Sequence, residues 1–278
     1  MQVKFDDTTI DLSYPNVMGI VNMTPDSFSD GGHYNNLDEA LRRVDKMIQD
    51  GATFIDIGGE STRPGASEVS TEEELDRVIP LVEKVANYFD IWISVDTSKP
   101  EVMTESAKAG AHLINDIRAL TEPGALEAAQ KTGLPVCIMH MQGDPKTMQQ
   151  APHYDCDIYQ EVDYFFTQHI ERCVQAGIER QKIILDPGFG FGKTLQHNYR
   201  LLAKLDSFHH FGLPLLVGMS RKSMIGQVLN VPPLERTIGS VSSAVIAAMK
   251  GAQIIRVHDV KETFDALRIV QATLAEKD

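Results

Sequence analysis

The chain has 278 residues, 42% apolar and 23% charged, and a formal net charge of 26 − 39 = −13. That is enough for one α/β barrel or two small domains with an ordinary core, without disulfides or structural metals. The acidic balance argues against wrapping nucleic acid, which needs a basic face, but leaves room for an anionic small molecule held by a few focused Arg and Lys residues.

Residues 1–12 read as a small hairpin that plugs the bottom of a barrel, ahead of a first strand over 17–21. Further short apolar runs follow at 54–57, 91–95, 113–114, 136–139, 183–185, 215–217 and 254–257. They are continuous rather than alternating, as in parallel strands covered on both faces. Helical patterns fall between them. Residues 37–49 space Leu37, Leu41, Val44 and Ile48 along one face, and 71–88 is led in by Ser70 with Thr-Glu-Glu-Glu after it, a good N-terminal signal. Pro100 opens a third helix, and 155–175, 236–250 and 261–276 complete the set. Unbroken strand–helix alternation with about eight strands predicts a single (β/α)8 TIM barrel over residues 1–278. The loops after the first two strands, 22–36 and 58–70, are long and rich in Gly, Pro, Ser, Thr and Asp. Long loops at that face are usually functional, and these two are expected to be mobile without ligand.

Cys137, Cys156 and Cys173 are odd in number and lack C-x-x-C spacing, so a reduced, cytoplasmic setting is expected. The N-terminus has no apolar leader, and no run approaches the ~20 residues that span a bilayer.

The polar residues that end the apolar runs are Asn22, Asp56, Asp96, Asn115 with Asp116, His140, Asp186, the Ser220-Arg-Lys222 group, Arg256 and His258. In a barrel these ends meet at one mouth, where active sites sit. Each has an ordinary alternative. Asp and Asn cap helices, with Asp96 the clearest case; Arg256 would pair with a neighbouring carboxylate; His258 would be a satisfied rim residue. Two look-alikes are set aside. Residues 187–194 imitate a phosphate-binding loop, but Pro187 replaces its first glycine and the strand is the sixth. The glycines there suit close backbone approach to a flat ligand. Residues 218–222 half match a nucleophile elbow, but Lys222 replaces the last glycine.

Longer motifs carry a family resemblance. Residues 18–32 (Met-Gly-Ile-Val-Asn-Met-Thr-Pro-Asp-Ser-Phe-Ser-Asp-Gly-Gly) and 56–65 (Asp-Ile-Gly-Gly-Glu-Ser-Thr-Arg-Pro-Gly) resemble the first two signatures of the dihydropteroate synthases. Residues 186–193 (Asp-Pro-Gly-Phe-Gly-Phe-Gly-Lys), 220–223 (Ser-Arg-Lys-Ser) and 256–259 (Arg-Val-His-Asp) resemble later ones, in the same order along the whole chain. The resemblance implies joining 6-hydroxymethyl-7,8-dihydropterin pyrophosphate to 4-aminobenzoate, with loss of pyrophosphate by an SN1-like route. It implies pterin contacts from Asp96, Asn115, Met139, Asp186, Lys222 and Arg256. It implies aminobenzoate contacts from Phe28, Thr62, Pro64, Phe191 and Ser220, and pyrophosphate contacts from Asn22, Thr62, Arg63, Arg256 and His258. Catalysis would rest on Asn22, Arg63, Lys222, Arg256 and His258, with Mg²⁺ on Asn22. Sulfonamides would compete with aminobenzoate. A homodimer is also implied, with Val245, Ile246 and Val270 as apolar candidates for its interface or for the core. Two rival readings are a methyltetrahydrofolate–corrinoid methyltransferase, which would not need the 18–32 and 56–65 motifs, and a non-catalytic pterin-binding protein. Loss of Asn22, Arg63, Lys222 or His258 would favour the latter, and all four are present.

Overall fold

The computed structural model describes residues 2–5, 8–24, 33–61, 68–143 and 147–276. β1 (Gln2–Phe5) and β2 (Thr8–Asp11) form the expected antiparallel hairpin. Eight strands follow: β3 (Asn16–Asn22), β4 (Phe54–Gly58), β5 (Trp92–Asp96), β6 (Leu113–Asp116), β7 (Val136–Met139), β8 (Ile183–Asp186), β9 (Leu216–Val217) and β10 (Ile254–Val257). They pair in parallel in the order β8-β7-β6-β5-β4-β3-β10-β9. The two ends of that sheet meet. A parallel bridge joins Leu185 to Leu215, and the Leu185 N–H donates to the Pro214 carbonyl at 2.9 Å. The sheet is therefore the TIM barrel that the strand count predicts.

Helices α1 (His33–Gln49), α2 (Thr71–Tyr88), α3 (Pro100–Lys108), α4 (Ala125–Thr132), α5 (Ile158–Gln175), α6 (Leu195–Ala203), α7 (Ser223–Leu229), α8 (Thr237–Met249) and α9 (Val260–Ala275) surround it. Three of these, α4, α6 and α7, have no counterpart in the sequence reading. α1 begins at His33 rather than Leu37, so the end of the first long loop is helical. Ser70 caps α2 through a capping box, its hydroxyl accepting from the Glu73 N–H while the Glu73 carboxylate accepts from the Ser70 N–H. No described helix is long and apolar enough to cross a membrane.

The two-residue period of a strand sorts the barrel into layers. Outward residues such as Ile55, Ile57, Ile93, Val95, Ile138 and Leu185 are fully buried against the helices. The lower inward residues, Phe54, Trp92, Leu113, Cys137, Ile184, Leu216 and Ile254, form a second apolar cluster, which Val3, Ile10 and Leu12 of the N-terminal hairpin seal from below. Phe54 and Trp92 meet edge to face there, with centroids 5.8 Å apart. Two residues further along, the inward positions turn polar: Asp56 after Phe54, Ser94 after Trp92, Asn115 after Leu113, Asp186 after Ile184 and Arg256 after Ile254. Asp56 does not end its strand, since β4 runs on to Gly58, and it is fully buried. Of the three interface candidates, Val270 is 3% exposed and belongs to the core, Val245 packs partly against it, and Ile246 is 46% exposed.

Candidate active site

The polar layer is one connected network. Arg256 Nε donates to Asp56 at 2.6 Å, and Arg256 Nη2 donates to Asp96 at 2.9 Å. Asp56 also accepts from the Ser94 hydroxyl at 2.5 Å and from the Asn115 amide at 3.4 Å. Register explains the convergence. Asp56 lies opposite Ser94 across β4–β5, Asp96 lies opposite Asn115 across β5–β6, and Arg256 comes from β10 on the far side of β3. A guanidinium presents a planar fork and suits two carboxylates at once. Burial works against the Arg256 charge, but Asp56 and Asp96 outweigh it and hold its pKa above the usual arginine value. Asp96 is pushed up to about 7, chiefly by burial, with Arg256 opposing the rise.

Asn22 ends β3 opposite Gly58. A Cβ at Gly58 would lie 3.5 Å from Asp96 Cβ and 3.8 Å from Asn22 Oδ1, ordinary contact distances that place both side chains beside one point at the mouth. The base of the second long loop is fixed from behind. Lys99 bridges Glu60, at 2.6 Å, and the buried Glu74, while Arg77 Nη1 donates to the Gly59 carbonyl at 2.9 Å.

Across the mouth, Asp186 accepts the Gly188 N–H at 2.8 Å. Burial raises its pKa, with Lys222 acting in the opposite direction. Lys222 Nζ donates to the Phe189 carbonyl and stands 4.5 Å from the centroid of the Phe191 ring, within cation–π range. Burial draws the Lys222 pKa down to about 8, against the pull of Asp186. Gly190 has φ +80, and a Cβ there would press to 3.1 Å from Lys222 Cδ, so glycine is what admits the lysine stem. Met139, Ile117, Met148 and Phe191 form a small apolar cluster against this edge. His258 donates its backbone N–H to Ser220 Oγ at 3.2 Å, and its Nδ1 lies 3.1 Å from the same oxygen. Either direction of the hydrogen bond between Ser220 Oγ and Nδ1 suits a neutral imidazole. Burial, followed by the charges of Arg256 and Arg221, holds the His258 pKa down to about 3.

The fold thus gathers Asn22, Asp96, Asn115, Met139, Asp186, Phe191, Ser220, Lys222, Arg256 and His258 at one mouth. Phe28, Thr62, Arg63 and Pro64 lie outside the described residues, as do the central parts of the two loops expected to be mobile. Sequence reasoning misses one member of this network outright and the pairings of two more. Ser94 is a lone hydroxyl inside an apolar run, and its only signal was that it sits two residues before Asp96. Asp56 was read only as a strand end. Arg221 forms a close pair with Asp259, with Nε to Oδ2 at 3.0 Å, and so ties the Ser220–Lys222 turn to the end of β10. Lys193 settles the nucleotide-loop look-alike. Its Nζ turns back into carbonyls of its own loop instead of reaching toward a phosphate.

Comparison with known proteins now adds to this geometry. The family model described as pterin binding enzyme matches residues 18–258. The dihydropteroate synthase of Escherichia coli K12 is 67% identical over 278 residues, covering 100% of this chain and 98% of that one. The chain belongs to the dihydropteroate synthase family. Solved members share its fold. Yersinia pestis dihydropteroate synthase in complex with a sulfonamide drug superposes with a TM-score of 0.95 at 68% identity, over 99% of this chain and 100% of that one. The same enzyme with a pterine–sulfa conjugate superposes at 0.91 and 63% identity, over 99% and 100%. In a dihydropteroate synthase, a polar layer of carboxylates, amide and guanidinium beside a cationic rim has a direct chemical use.

Proposed function

We propose that this chain condenses 6-hydroxymethyl-7,8-dihydropterin pyrophosphate with 4-aminobenzoate to give 7,8-dihydropteroate and pyrophosphate. The observation that carries this reading is the meeting of Asp186, Asn115 and Asp96 with Lys222, Arg256 and His258 at one barrel mouth. A flat pterin presents a donor-rich amino edge and a ring carbonyl. Asp186 supplies acceptor oxygens to the first, and Lys222 a donor to the second. Asn115 and Asp96 serve the remaining ring positions, and Met139 and the Arg256 guanidinium lie against the ring faces.

The methylene C–O bond breaks with its electron pair leaving on pyrophosphate. The aminobenzoate nitrogen then bonds to the cationic methylene and loses a proton. Arg256, neutral His258 and, by family resemblance, Arg63 stabilise the departing negative charge. Phe28, Thr62, Pro64, Phe191 and Ser220 carry the aminobenzoate contacts by the same resemblance, and sulfonamides would compete there. Among the described residues no group of three His, Cys, Asp or Glu can cage a metal. Asn22 offers one hard, neutral oxygen at the mouth, which fits Mg²⁺, an ion that keeps its waters and takes few protein ligands. Mg²⁺ would neutralise pyrophosphate charge. Asn22→Ala should then raise the Mg²⁺ concentration for half-maximal rate by about tenfold; an unchanged metal titration argues against Asn22 as ligand.

The deciding assay supplies both substrates with Mg²⁺ and measures both products. Equimolar pyrophosphate and dihydropteroate supports the reading. Pterin binding without turnover rejects it and moves the chain to the corrinoid methyltransferase or non-catalytic reading.

Homodimerisation belongs to the same proposal. Leu234, Ile238 and Ile269 are 79%, 80% and 70% exposed on or beside α8 and α9, two helices that pack on each other, and these exposed apolar side chains favour a second copy there. Ile238→Glu should shift the protein to monomer in light scattering, and an unchanged mass would remove this face from consideration. None of the three cysteines is paired, which accords with a cytoplasmic setting.

A further inference from the structure

The loop between β8 and α6 has no ladder of its own, so its carbonyls need other donors. The five from Gly188 to Gly192 each find one. Gly188 and Phe191 accept from Lys193 Nζ at 2.9 and 3.0 Å, and Phe189 accepts from Lys222. Gly190 accepts from the Gln149 amide, and Gly192 from the Tyr154 hydroxyl at 2.8 Å. Lys193 also reaches β7, where Nζ lies 3.1 Å from the His140 carbonyl and 2.9 Å from His140 Nδ1. It is 3% exposed. Gly188, Gly190 and Gly192 all have positive φ, which lets every second residue of the loop reverse the chain direction. A Cβ at Gly188 would fall 1.9 Å from the His140 carbonyl oxygen, which shows how closely the loop and the end of β7 are drawn together. Three carbonyls and an imidazole nitrogen around one point make a site for a small monovalent cation; the chain's own amine fills it, with burial pushing the Lys193 pKa well down and Asp186 pulling it back up.

We propose that Lys193 is a positioning residue for the pterin and aminobenzoate sites: its Nζ stands in for a small cation among the His140, Gly188 and Phe191 carbonyls. It thereby fixes the Phe191 ring and the Phe189 carbonyl that holds Lys222. This rests on the function proposed above. On that function Lys193, turned into its own loop and to His140, makes no substrate contact, whereas Phe191 and Lys222 do. Lys193 also lines a cavity of about 230 Å³ together with Gln149, Thr194, Asn198 and Gln227, and this is the space a small amine would occupy on its way to the vacated Nζ position.

The test compares wild type, Lys193→Ala and Lys193→Gln in the two-substrate assay, in sodium chloride and in equimolar methylammonium or tetramethylammonium chloride. KM for both substrates should rise about tenfold or more in Lys193→Ala, with a smaller change in kcat. Methylammonium, but not the larger, donor-free tetramethylammonium, should reverse much of that rise and leave wild type unaffected. Lys193→Gln, which keeps N–H donors near the carbonyls, should lose less. Wild-type KM values in a folded Lys193→Ala overturn the proposal. So do equal losses in both variants without response to methylammonium. If Lys193→Ala does not fold, Lys193→Gln carries the same KM comparison. If neither folds, the nitrogen-15 resonance of Lys193 Nζ in wild type decides: a shift on pterin binding supports the proposal, and none overturns it. Absence of dihydropteroate from wild type would instead reject the function, and pterin Kd values across the three proteins would still test the positioning role.

Discussion

Exchanging Arg256 for methionine is expected to destabilise the barrel by about 3–5 kcal/mol and to abolish turnover. The guanidinium is the only charge partner drawn between Asp56 and Asp96 among the described residues, and Asp56 is fully buried. Methionine keeps the apolar stem and leaves two carboxylates facing each other. Asp96 already titrates at about 7, so without Arg256 it will hold its proton to higher pH and relieve part of the repulsion. The sign follows. A carboxyl whose folded pKa is raised contributes stability below its unfolded pKa and loses it as pH rises through the folded value. The gap between variant and wild type should therefore widen from about pH 6 to pH 9. Adding Asp96→Asn should restore stability without restoring activity. Urea unfolding at several pH values is the measurement. A variant within about 1 kcal/mol of wild type at the alkaline end would show that the network is not what holds the polar layer together.

Asp186→Ala carries the second large effect, a loss of about 2–4 kcal/mol in pterin affinity, or roughly a 30- to 1,000-fold rise in Kd. The ring's donor edge would lose its anionic acceptor, and Lys222 would lose the carboxylate that supports its charge. Burial raises the Asp186 pKa in the free protein, whereas the ligand binds the ionised form. Affinity should therefore fall as pH drops through that pKa, since binding must then expel a proton. Lys222 supplies the opposite limb. It binds as the cation, so affinity should also fall as pH rises through about 8. Fluorescence titration of pterin binding across pH reads both limbs. Lys222→Ala should flatten the alkaline limb, and Asp186→Asn should flatten the acid limb, apart from a residue due to Asp96. Profiles of identical shape in all three proteins would rule out these roles.

How much of this could be read in advance depended on where each interaction lies in the chain. The eight strands were legible because burial on both faces forces continuous apolar runs. The helices α2 and α5 were legible because each is 18 residues long with a strong start. α4 is eight residues between Gly124 and Gly133, α6 carries His and Asn where apolar residues would mark a face, and α7 spans only seven residues with Gly226 inside it. Short helices of that kind form because packing on the barrel holds them, not because of local pattern.

The residue types at the mouth were local information. Polar side chains closing apolar runs, together with the long motifs at 18–32 and 56–65, marked the family and the end of the barrel that carries chemistry. Which of these groups meet was not local. Arg256 reaches Asp56 across 200 residues and Asp96 across 160, and no periodicity encodes a pairing over such distances. Lys193 reads in sequence as the end of a glycine-rich loop. It becomes an amine held among carbonyls only once β7 lies beside β8 and brings His140 to it. The sequence by itself determined the barrel, its active end and the chemical groups there, because strand period and motif order are properties of short stretches. Closure of the sheet alone decided which charges neutralise one another and which pKa values move, because burial and Coulomb energy depend on distances in space.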